Sequence, residues 1–78
     1  MRTSYNSQML RNARRAVGLN IHRRRMHQEY PLTRLAETTG LSERLLDRYE
    51  MGKDDINLHH LLRIACALRT DLKNLVTL

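Results

Sequence analysis

Seven arginines stand in the first 30 residues: Arg2, Arg11, Arg14, Arg15, Arg23, Arg24 and Arg25, against one acid, Glu29. Residues 31–78 hold seven bases and seven acids, so the net charge of +6 belongs entirely to the front of the chain. An arginine stays charged at every relevant pH and grips a phosphate through two parallel N–H groups. Such a cluster is either a solvated helix face or the grip for a polyanion, with nucleic acid ahead of an anionic membrane. A second set is the stretch "GLSERLLDRYEMGK" at 40–53, where Arg44 and Arg48 alternate with Glu43 and Asp47. A guanidinium there can fork onto guanine O6 and N7, and a carboxylate can accept from cytosine N4.

Other chemistry is poorly supported. The histidines His22, His27, His59 and His60 have no carboxylate or thiol at ligand spacing, so surface positions are expected and no metal or cofactor. The single cysteine, Cys66, excludes a disulfide framework and a CxxC zinc pair, and its setting in "IACAL" reads as inert packing. No nucleophile elbow or glycine-rich phosphate loop is present, so no enzyme is expected. Three tyrosines give no stacking platform for single strands. The chain has 78 residues, 41% of them hydrophobic, enough for one small core and too few for two domains. No apolar run approaches the roughly 18 residues that span a bilayer, and "MRTSYNSQML" is not a secretory signal. A cytoplasmic, nucleoid-associated protein without membrane or small-molecule partner is the expectation.

The elements that must position these residues read as helices. Breaks fall at Tyr30-Pro31, Thr39-Gly40, Met51-Gly52 and "KDDIN". Proline disfavours a helical residue before it, so the first helix should stop near Glu29. Its stripe is Leu10, Ala13, Val17 and Ile21, weakened by Gly18. A second helix buries Leu32, Leu35 and Ala36. A third begins at Ser42, a good N-cap, with Glu43 favoured in its first turn. A fourth, capped by Asn57, places Leu58, Leu61, Leu62, Ala65 and Leu68 on one face, flanked by Ile64 and Cys66. "DLKNLVTL" closes the chain with a short helix. Arg25 and Glu50 each lie one turn beyond an apolar residue on a stripe, and a buried charge needs a partner. They are therefore expected to meet, tying the first helix to the third.

Helix, "GLS" turn, helix, "E-x-G-K" and "LLRIACAL" together resemble the Xre/Cro/CI helix-turn-helix family over about residues 17–76. The strongest pieces are "LAETTGLS", "RYEMGK" and "LLRIACAL". The resemblance implies an all-α, five-helix lambda-repressor-like bundle at 17–78, with 1–16 a basic N-terminal arm or helix extension. It implies a helix 2 at about 32–39 crossing the DNA backbone and a recognition helix at about 43–50 in the major groove. Glu43, Arg44, Asp47 and Arg48 then match base-reading positions. Ser42 and Lys53 match phosphate contacts, with Thr33 and Arg34 beside them at the start of helix 2 and Arg14 and Arg15 in the basic arm. The family's ion pair falls on Arg25 and Glu50.

Three departures stand out. Leu32 occupies a position where the family usually has a phosphate-binding Gln. Ile56 replaces the loop proline. The recognition helix has no net charge. Leu45 either touches a thymine methyl or packs on helix 2. The implied function is a sequence-specific, duplex-DNA-binding transcriptional regulator, dimeric on a palindromic operator. Its format is like that of small regulators of phages, plasmids and integrative elements. The candidate dimer seam is Leu72, Leu75, Val76 and Leu78, which core packing explains equally well. The alternative is an antitoxin or adaptor that uses the same fold to bind protein.

Overall fold

The computed structural model describes residues 6–78 and contains five helices: α1 (Ser7–His27), α2 (Leu32–Thr39), α3 (Glu43–Glu50), α4 (Leu58–Ala67) and α5 (Leu72–Leu75). Arg2 and Tyr5 lie outside the described residues. No strand occurs among the described ones. Side chains that can satisfy a free N–H start three of the helices. Ser42 Oγ accepts from Leu45 N at 3.1 Å and Asn57 Oδ1 from His60 N at 2.8 Å. Asn6, which the sequence did not single out, caps α1 by accepting from Met9 N at 2.9 Å.

Left-handed residues follow the first four helices. They are Gly40 (φ 75°) and Gly52 (φ 71°), but also Glu29 (φ 52°) and Arg69 (φ 53°). Glu29 explains why α1 stops two residues before the proline argument placed its end. The chain turns back once Glu29 N–H reaches Met26 O and Tyr30 N–H reaches Arg25 O. α1 runs unbroken through residues 16 and 17, so its basic front half and its bundle half are one rod.

The core is built from Ile21, Leu35, Leu46, Ile64, Leu68 and Leu75, all fully buried, with Leu41, Tyr49, Leu61 and Ala65 around them. Two expectations are corrected here. On α4 the buried stripe is Leu61, Ile64, Ala65 and Leu68, while Leu58 and Leu62 are 62% and 45% exposed and Cys66 faces outward. The apolar arc of this helix is wider than one face, so its neighbours choose its rotation. The spacing 61, 64, 65, 68 fits the core best. Leu75 is likewise a core residue, which removes it from any surface seam.

The turn from α2 to α3 fixes how α3 is presented. Gly40 adopts the left-handed conformation that is cheap only without a Cβ. Thr39, buried, donates its hydroxyl to Leu35 O at 2.6 Å and accepts from Leu41 N at 3.2 Å. From α4, Arg63 Nη1 donates to Thr39 O at 3.3 Å.

Gly18 is a close-approach residue. It is buried where α1 crosses the last turn of α3, and a Cβ there would collide with the Tyr49 carbonyl oxygen and sit 2.7 Å from that of Glu50. In most helices Gly→Ala stabilises by about 1 kcal/mol. Gly18→Ala is expected to destabilise instead, by about 1–3 kcal/mol, because neither carbonyl can retreat from a packed helix. Thermal unfolding followed by circular dichroism reads the sign directly.

Candidate nucleic-acid interface

α3 divides its residues sharply. Leu46 and Tyr49 are buried, and Leu45, half-buried, packs against the core. Glu43, Arg44 and Asp47 are exposed, Arg48 half so. Met51, at the C-cap, is 54% exposed beside them and was not anticipated. The outward face is thus a row of two arginines, two acids and a methionine on a helix whose inner face is anchored.

The anchor is an ion pair. Arg25 Nε donates to Glu50 Oε2 at 2.7 Å, Nη2 donates to Oε1 at 2.9 Å, and Nη1 donates to Tyr30 O at 3.1 Å. His22 Nδ1 lies 2.7 Å from Glu50 Oε1, a hydrogen bond donated by the ring. The side chains of Arg25 and Glu50 are 12% and 5% exposed. One guanidinium therefore joins α1, the residue before the cap of α2, and the end of α3. Burial pushes the Glu50 carboxyl up, but the Arg25 and His22 hydrogen bonds outweigh it and hold the group below its ordinary range. The Glu50 hydrogen bond raises Arg25 in turn.

A second pair lies on the outer side of α3. Arg48 Nε and Nη2 donate to Asp54 Oδ2 and Oδ1 at 2.8 and 2.9 Å. The Arg48 hydrogen bond holds the Asp54 carboxyl below its usual range, helped by the charge of Arg14. Tyr49 OH shares a hydrogen bond of 2.7 Å with His60 Nδ1, which fastens α3 to α4. These pairings link residues 6 and 11 positions apart across a loop, and sequence spacing gave no signal for either.

The candidate phosphate contacts fall in three places. Ser42 is exposed at the cap of α3, and Lys53 is exposed just after it. Thr33 and Arg34 are exposed in the first turn of α2, where the Arg34 guanidinium stacks 4.8 Å above the Tyr30 ring. Arg14 and Arg15 lie along the loop that follows α3. α1 passes so near that a Cβ on Gly52 would lie 2.9 Å from Arg15 Cα. Arg15 is exposed, whereas Arg14 is half-buried with Nη1 3.4 Å from Asp55 Oδ1, and its Nε is buried without a protein partner. The three arginines at the end of α1 are not part of this surface. Arg25 is used internally, and Arg23 and Arg24 line an opening with Asn20, His27 and Asn74. Of the proposed seam, Leu72 is half-buried, while Val76 and Leu78 are 40% and 81% exposed.

A charged helix facing outward, fixed by a left-handed turn to the helix before it, is the defining arrangement of a helix-turn-helix DNA-binding domain. The family model described as helix-turn-helix matches residues 21–75. The chain belongs to that family, in its Xre/Cro/CI form, and is a DNA-binding transcription regulator. Among solved structures, the restriction-modification controller protein C.AhdI from Aeromonas hydrophila has the same fold. It superposes with a TM-score of 0.77 at 22% identity, over 80% of this chain and 94% of that one. No curated protein matches the chain.

The buried pair generates a stability prediction. Glu50→Ala leaves Arg25 buried and unpaired and is expected to cost about 3–5 kcal/mol. Because the Glu50 carboxyl is depressed in the fold, its contribution is present above the ordinary carboxylate range and is lost as pH falls through the folded value. Denaturant unfolding of both proteins across pH should show the wild type and Glu50→Ala converging in acid.

Proposed function

We propose that the chain is a sequence-specific regulator that binds duplex DNA as a homodimer on a palindromic operator, with α3 in the major groove. The observation that carries this reading is the outward row of Glu43, Arg44, Asp47 and Arg48 on an otherwise anchored helix. Arg44 and Arg48 read base edges, and Glu43 accepts from cytosine or holds an arginine in place. Thr33, Arg34, Ser42, Lys53 and Arg15 hold phosphates, with Arg14 steadied by Asp55 behind them. The acids of α3 cost affinity on every sequence and so widen the gap between specific and non-specific binding.

Two half-sites one helical turn apart require two copies of α3 related by a dyad. With Leu75 in the core, the seam rests on Val76 and Leu78, the exposed apolar residues of the set, beside the half-buried Leu72. The controller protein with the same fold supports the reading as a regulator.

Selection from a pool of randomised duplex DNA tests the reading. The wild type should enrich a site with dyad symmetry. Arg44→Ala should lose preference at one base position per half-site. Arg15→Ala should weaken all sequences alike and reduce the salt slope by about 1. Equal binding to every member of the pool would defeat the reading.

A further inference from the structure

We infer that Asp54 is a specificity-determining residue: it orients Arg48 so that the free outer edge of the guanidinium meets a guanine. The inference rests on the groove-reading role proposed for α3. Asp54 lies in the loop after α3, outside the recognition helix, and its two oxygens take the Nε–H and one Nη2–H of Arg48. That is the side edge of the guanidinium. The outer edge, formed by Nη1 and the second hydrogen of Nη2, has no partner among the described residues. This outer edge presents the parallel pair of donors that matches O6 and N7 of guanine.

A free arginine side chain has many rotamers and loses that freedom on binding. Arg48 is already in one. The loop does not need this pair to form, since Gly52 N–H bonds Tyr49 O at 3.1 Å and Lys53 N–H bonds Arg48 O at 3.0 Å through backbone alone. The pair is also poorly suited to stabilising the fold, because the Arg48 and Asp54 side chains remain 42% and 33% exposed. Arg44, one turn earlier on α3, has no such carboxylate partner among the described residues. The two base-facing arginines therefore differ: one is held, the other is free to sample. The charge of Arg14 on α1 adds to that of Arg48 in favouring the ionised form of the Asp54 carboxyl.

The test compares wild type, Asp54→Ala, Asp54→Asn, Arg48→Ala and Arg44→Ala by selection from the same randomised duplex pool, with melting curves to check that each folds. Asp54→Ala should lower guanine preference about tenfold at the position that Arg48→Ala also relaxes. It should leave the position read by Arg44 unchanged, and its binding to unselected duplex should not weaken. Asp54→Asn keeps one acceptor and should fall between. Unchanged preference in Asp54→Ala, or preference that rises because Asp54 had been competing with the base, overturns the inference while leaving α3 as the reader. A wild type that selects no site at all removes the groove-reading proposal itself.

Discussion

The presentation of α3 depends on one buried guanidinium. Arg25 spends its nitrogens on both Glu50 oxygens and on the Tyr30 carbonyl, so α1, the entry to α2 and the exit of α3 share a single node. Without it, the last turn of α3 would be held only by the burial of Leu46 and Tyr49 and by the Tyr49–His60 hydrogen bond, and an ångström-scale tilt moves every outward-facing side chain of the helix. The cost of burying the pair is met by complete hydrogen bonding, with His22 taking part in the Glu50 site. Gly18 makes the arrangement possible sterically, because only a glycine lets α1 approach the carbonyls of Tyr49 and Glu50 this closely.

The basic excess at the front of the chain is divided among several jobs. Arg25 is structural. Arg14 and Arg15 run beside the loop after α3, where the proposed complex places a phosphate backbone. Arg23 and Arg24 face another side, toward α5. The outer face of α3 is by contrast balanced in charge, and one of its arginines is matched by a loop carboxylate. In the proposed complex, non-specific attraction comes from the flanks and discrimination from the centre.

Much of this was legible in the sequence because punctuation and periodicity act locally. Ser42 and Asn57 cap, Gly40 turns, and the ends of α2 and α3 follow from them. Arg25 and Glu50 stand out because each interrupts an apolar stripe. What stayed hidden depends on packing between elements. Gly18 reads as a weak point in a helix until α3 is laid across it. The rotation of α4, which exposes Leu58, Leu62 and Cys66, is chosen by its neighbours from an apolar arc too wide to decide alone. Leu75 reads equally as seam or core until Asn20 is found bonding the carbonyls of Leu75 and Thr77 and drawing α5 onto α1. Tyr49–His60 and Arg48–Asp54 join residues at separations with no helical meaning, so no spacing rule reveals them.

Methylation interference on a selected duplex tests the central claim most directly, because N7 of guanine lies in the major groove and N3 of adenine in the minor. The account predicts that methyl groups on guanine N7 block binding at one or two positions in each half-site while adenine N3 methylation there does not. Interference confined to adenine N3, or absent from every base, would contradict it.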